Sequence, residues 1–171
     1  MTTSRVAEIA GVSVGTLYQY FASRDALLDA LQERELTRAT EMLQRVLANA
    51  ARLKDRALAR SVVDELLALY RAAPALHRVL AVEGLRISPP EQVLAFDLRL
   101  ISAIRAYLGA DASRFRRQNL DAAAFVIYQS VRASMLSYLL ERPAGVSEEA
   151  LAEELTDLIL SYLLGAAPLG D

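Results

Sequence analysis

Apolar side chains recur along this chain at the three-to-four-residue spacing of a helix, and small clusters of glycine, proline, serine or asparagine cut the pattern into segments. The first segment is brief. Val6, Ile9 and Ala10 share one face, and Gly11 stands where the helix has to stop, because glycine takes up a left-handed backbone at little cost. Val12 fills the corner, and Ser13 is a good N-cap, its hydroxyl accepting from a backbone N–H that otherwise lacks a partner. A second helix is therefore predicted from about Val14. On a helical wheel Val14, Leu17 and Phe21 point one way, while Gly15 and Gln19 point the other, flanked by Thr16 and Tyr18.

From Ser23 the period runs without a breaker to about Asn49, through Leu27, Leu28, Leu31, Leu36, Met42, Leu43, Val46 and Leu47. At about 1.5 Å per residue this helix spans nearly 40 Å. Glu33, Arg34, Glu35 and Arg38 read as its solvated face. Further helices are predicted over Asp55–Ala72 and, with Pro74 tolerated in a first turn, over Ala75–Leu85, which Gly84 and Ser88-Pro89-Pro90 close. Another covers Glu91–Leu108 and stops at Gly109, and a connector holding Arg114, Arg116 and Arg117 follows. Leu120–Glu141 and Ser147–Leu164 finish the chain, the second opened by a Ser147-Glu148-Glu149 start signal. The pattern predicts an all-α protein: a head of residues 1–45, carried on the long helix, and a helical body of residues 46–171.

The last two helices are apolar on more than one side, which takes more than their own domain to cover. They are predicted to build a four-helix interface with a second copy, through Phe125, Tyr128, Met135, Leu136 and Leu139 on one and Leu151, Leu155, Leu158, Ile159 and Tyr162 on the other.

Composition narrows the function classes. A chain of 171 residues that is 54% hydrophobic can bury a sizeable core. Cysteine is absent, which excludes disulfides, thiolate metal sites and a cysteine nucleophile, and fits a reducing cytoplasm. His77 is the lone histidine and has no carboxylate at helical spacing on its own segment, so neither a histidine metal cluster nor a triad is expected. The pairs Glu148/Glu149 and Glu153/Glu154 read as a solvated face, not as a general acid and base. No enzyme, metal or cofactor is expected, and no membrane span, since Gln129 and Arg132 interrupt the most apolar stretch. Net charge is −2; residues 1–60 hold nine basic and seven acidic side chains, the remainder ten and fourteen. A head this mildly basic would hold DNA by a modest number of positioned contacts, not by bulk charge.

The first two helices and their corner read as a helix-turn-helix. The outward face of the second is small, polar and aromatic, suited to a DNA major groove: Gly15 lets the backbone approach, Gln19 can bond a base edge and Thr16 can offer a methyl or hydroxyl. Tyr18 and Tyr20 suit phosphates, and Arg24 lies beside the positive end of a helix that Ser23 can cap. Thr2, Thr3, Ser13 and Val14 complete the candidate DNA-contact set. The ordered run Ala10-Gly11-Val12-Ser13-x-Gly15-Thr16-Leu17-Tyr18-x-Tyr20-Phe21-x-Ser23-Arg24-x-x-Leu27 resembles the DNA-binding signature of TetR/AcrR-type transcriptional regulators. The resemblance implies a dimeric helical repressor of a double-stranded DNA operator, whose C-terminal domain binds a small effector that shifts the long third helix and changes the separation of the two heads.

The sequence departs from that pattern at its start. Family members carry a further helix ahead of the one that ends at Ala10, and it covers the faces of Val6, Ile9, Val12, Leu17 and Phe21. The favoured reading is that Met1 is an internal methionine; the alternative is a truncated, DNA-incompetent helical sensor or dimerisation partner. An effector pocket is expected among the helices of residues 55–141, with Tyr70, His77, Phe96, Arg99, Tyr107, Phe125, Tyr128, Gln129, Arg132 and Met135 as candidates. Tyr128, Gln129 and Arg132 rank first, because polar groups on an apolar helix need partners.

Overall fold

A computed structural model describes residues 2–87 and 90–165, and within them the chain is helical, with no strand. The head comprises α1 (Thr3–Ala10), α2 (Val14–Tyr20) and the first turns of α3 (Arg24–Ala48). The body adds α4 (Asp55–Ala72), α5 (Pro74–Ile87), α6 (Pro90–Ala110), α7 (Leu120–Glu141) and α8 (Glu148–Leu164). Most helix starts are fixed by side-chain caps. Thr2, Ser13, Ser23, Asn119 and Ser147 each accept a first-turn backbone N–H. Gly11 ends α1 at φ 69°, the left-handed turn a helix-turn-helix corner requires.

Two boundaries differ from the sequence reading. Gly109 does not stop α6, which runs on to Ala110, because one helical glycine costs only about 1 kcal/mol against alanine and packing outweighs it. The helix α5 likewise passes through Gly84 to Ile87. Ser88 and Pro89, read as breakers, lie outside the described residues.

The body is held by burial. The helix α4 packs along α8 and α6 along α7. Between them lie Val63 and Leu67, Leu108, Ala124, Ile127 and Met135, and Ala152, Leu155 and Ile159, all withdrawn from water. Ala152 and Thr156 are fully covered, and the Thr156 hydroxyl donates to the Ala152 carbonyl at 2.7 Å, so a polar side chain is buried without an unmet bond. Glu149 and Glu153 lie on the solvated face expected of them and there receive Arg60, with Glu153 and Asp157 also receiving Arg56. The connector arginines finish the end of α8: the Arg116 N–H donates to the Leu163 carbonyl, and Arg117 Nε to that of Tyr162 at 2.7 Å, its guanidinium over the Tyr162 ring.

The head has a much smaller core. Ala7, Leu17 and Leu28 are its buried side chains. The predicted inner face of α1 is rotated: Ala7 is inside, Val6 is half-buried, and Ile9 is 70% exposed with Ala10. Val14 also stands outward, at 38% exposure, while Leu17 on the same helix is buried.

Candidate functional site

Two places carry organised polar chemistry, the outer face of α2 and a cavity in the body. On α2 the Ser13 hydroxyl accepts from the Thr16 backbone N–H at 2.9 Å and lies 2.8 Å from the Thr16 hydroxyl. Thr16 therefore presents its methyl outward, its hydroxyl being engaged in the cap. The Tyr18 and Thr3 hydroxyls are 3.1 Å apart, a bond that fixes the tyrosine ring against α1. Gln19 and Tyr20 are exposed, and neither makes a hydrogen bond with a described residue. A methyl group on Gly15 would touch only the Ser13 hydroxyl, at 3.6 Å, so the chain's own packing gives no reason for a glycine there. Arg24 reaches Glu83 on α5 at 3.5 Å, within a cluster that also ties Arg86 to Asp25.

The cavity, of about 300 Å³, lies among α3, α4, α5, α6 and α7 with the end of α8. That is within the range of small-molecule sites, and its wall is chiefly leucine, valine and aromatic. Seven of the predicted effector residues line it: Tyr70, His77, Phe96, Tyr107, Tyr128, Arg132 and Met135. Arg99, Phe125 and Gln129 do not; Arg99 is exposed beside Leu98, Phe125 is 52% exposed, and Gln129 is half-buried off the cavity wall.

The polar groups of the cavity are layered. Glu35, read as solvated, is 5% exposed, because α5 closes over that turn of α3. Arg34 and Arg38 donate to its Oε1 at 3.1 Å each, and His77 Nε2 stands 3.7 Å from Oε2. Burial pushes the His77 pKa below its ordinary value, against the opposing pull of Glu35, so the ring is neutral and Nε2–H donates to the Leu69 carbonyl at 3.1 Å. Tyr70 meets the His77 ring edge to face, centroids 4.9 Å apart. Burial holds the Tyr70 hydroxyl protonated, and burial plus donation to Asp97 does the same for Tyr128, raised well above the usual phenol range. Glu35, Gln32 and Asp97 were missed by sequence reasoning, since His77 meets Glu35 and Tyr128 meets Asp97 from other helices, and no spacing along the chain shows that the Gln32 amide oxygen is buried.

Residues 56–163 match the model described as "Tetracyclin repressor-like, C-terminal domain", and residues 1–31 match "Bacterial regulatory proteins, tetR family". The chain belongs to the TetR family. Its fold and family are those of DNA-binding transcriptional regulators, not of enzymes. The nucleoid occlusion factor SlmA of Pasteurella multocida is 32% identical over 95 residues, 53% of this chain and 45% of that protein, so the match spans under half of the relative's length. The TetR-family regulator PfmR of Thermus thermophilus superposes with a TM-score of 0.71 at 19% identity, covering 94% of this chain and 87% of that one. A transcriptional regulator from Cytophaga hutchinsonii gives 0.70 at 15%, covering 96% and 88%. Both show the same all-helical fold.

In this TetR-family chain the predicted dimer set divides. Tyr128, Met135, Leu139, Leu155 and Ile159 are buried in the chain's own core, because α4 and α6 cover those faces, and they are corrected from surface to interior. Leu136 lines the cavity; Leu151 and Tyr162 are partly buried against the core. Phe125 and Leu158 remain outside at 52% and 42% exposure, joined by Val126 and Leu140, which the sequence list omitted. Among the described residues no helix is long and apolar enough to cross a membrane.

Proposed function

We propose that this chain is a cytoplasmic, ligand-responsive repressor that works as a homodimer. In this reading residues 1–45 hold operator DNA, and an effector taken up by residues 46–171 lowers that affinity. The observation that carries it is the continuity of α3, whose capped start abuts α2 while its middle turns, with Gln32, Glu35, Leu36, Met42 and Leu43, wall the cavity. One rod thus touches both places, so whatever fills the cavity also acts on the orientation of the head. Relief of repression by tenfold takes an effector preference of about 1.4 kcal/mol for the non-binding arrangement, and near-complete switching about 5.5 kcal/mol.

The DNA contacts are assigned to Thr2, Thr3, Ser13, Val14, Gly15, Thr16, Tyr18, Gln19, Tyr20 and Arg24. Gln19 reads a base edge, Gly15 permits the approach, and Tyr18 and Tyr20 take phosphates. Phe125 and Leu158, with Val126 and Leu140, are the assigned dimer contacts, which set two copies of α2 against successive grooves about 34–36 Å apart. Sedimentation of Phe125→Glu as a monomer where the wild type is a dimer checks that assignment.

Gel-shift titration against the promoter beside its own gene tests the whole reading. Gln19→Ala is expected to change preference at one base step, and Tyr18→Phe to weaken all sites alike. A folded dimer that gives no specific band at moderate salt overturns it in favour of a DNA-incompetent sensor.

A further inference from the structure

The cavity wall carries charges of both signs, and they are not equally satisfied. Glu35 has Arg34 and Arg38 on its carboxylate. Asp55, the other acid on the wall, is held by Arg114. Arg132 also lines the cavity, half-buried on α7, and its guanidinium makes no hydrogen bond or ion pair with any described residue. Among the described residues, the acids of the wall are thus paired and the cation is not.

Two further polar groups of the same wall lack partners. Gln32 has a buried amide oxygen with no hydrogen bond, and an amide is free to turn either its N–H or its oxygen toward a ligand. The Tyr70 hydroxyl bonds to no described residue, and Tyr70, Tyr128 and Arg132 line the same cavity. Tyr128 lies one helical turn before Arg132 on the same face of α7. A half-buried guanidinium and a protonated phenol on one cavity wall form a donor set for a planar anion, because a carboxylate takes two parallel N–H bonds from arginine and a third from a hydroxyl. A cationic ligand would meet the reverse: an unopposed positive charge and carboxylates already occupied.

We infer that the effector is an amphipathic acid, its carboxylate bound by Arg132 with Tyr70 and its apolar body filling the leucine- and aromatic-lined remainder of the cavity. The inference rests on the reading of this cavity as the effector site and adds the class of ligand.

Calorimetric titration of the full chain with decanoate, 1-decanol and decylamine, and with 2-naphthoate against 2-naphthol, tests it without reference to DNA. At least one of the two acids is expected to bind about tenfold or more tightly than its own alcohol, with decylamine weakest, the margin expected of a charge-assisted pair over a neutral one. In Arg132→Met the acid should fall to the affinity of its alcohol while the alcohol is unchanged or tighter, which also shows that the cavity has kept its shape; Arg132→Lys should keep part of the preference. Acid and alcohol binding equally to the wild type, or a preference that survives Arg132→Met, overturns the acid proposal and leaves an effector site standing. If no probe of any head group binds, the proposal falls together with the effector-site reading. If the acids bind as expected but leave the gel shift unmoved, the ligand class stands and the repressor reading fails.

Discussion

The head and the body of this protein are stabilised in different ways. The body buries long apolar side chains from four helices in one continuous core. The head buries Ala7, Leu17 and Leu28 and leaves Ile9, Val12, Val14, Tyr18 and Tyr20 outside. What fixes the head is local: caps at Thr2, Ser13 and Ser23, the left-handed Gly11, and the Thr3–Tyr18 bond. A body defined by burial holds its shape by many redundant contacts, whereas a head defined by single hydrogen bonds can be altered one atom at a time.

The largest expected effect is therefore in the body. Leu155 is 3% exposed and packs in the α4–α8 seam away from the cavity wall. Leu155→Ala should cost about 2–5 kcal/mol in urea unfolding, from lost transfer energy and the cavity left behind. The loss should not depend on protein concentration, because the side chain belongs to the chain's own core. A loss that grows on dilution would return Leu155 to the subunit interface and erase the distinction between core and surface on α8.

Next comes the head. Leu17→Ala removes the largest contribution of α2 to a core with few other members, and about 2–3 kcal/mol is expected to be lost locally. Amide exchange should show α1 and α2 opening while α4, α7 and α8 keep their protection, and the specific gel-shift band should disappear. If the body loses protection in parallel, head and body are one cooperative unit. A smaller change is predicted for Ser13→Ala, where one capping bond to Thr16 is removed at a cost of about 1 kcal/mol. Faster exchange confined to the first turn of α2 is the expected sign, with unfolding of the body unaltered.

How much of this was legible follows the same division. The helices, their caps and the corner at Gly11 could be read because each depends on residues a few positions apart, and the signature through Leu27 identified the family. On α1 and α2, Leu17 is inside as the wheel placed it, whereas Ile9 and Val14 are exposed, since a wheel ranks positions around one axis but does not say which side a neighbour covers. Glu35 looked like any acid on a charged stretch of helix, and only α5, more than thirty residues on, turns that stretch into an interior. Likewise Tyr128, Met135 and Leu155 were rightly seen as needing cover, but α4 and α6 supply it, and only Phe125 and Leu158 with their neighbours are left for another molecule.

The smallest effect expected concerns His77, where the body comes nearest to depending on a single proton. Facing the ring are the Glu35 carboxylate, Arg38 behind it, the Leu69 carbonyl and Tyr70. Burial lowers its pKa from the usual 6.5, although Glu35 pulls the other way. The unfolded chain thus takes up a proton near pH 6.5 while the folded chain still refuses one, so this residue's contribution is fully present above that pH and is lost as pH falls through the lower folded value. Stability should be flat from about pH 8 to 6.5 and decline below, before carboxylates begin to titrate near pH 4. His77→Gln can still donate to the Leu69 carbonyl without titrating, and should level that part of the curve. If stability instead rises as pH drops below 6.5, protonated His77 has joined Glu35 in an ion pair, and attraction outweighs burial at the one point where the wall of the cavity meets a charge on α3.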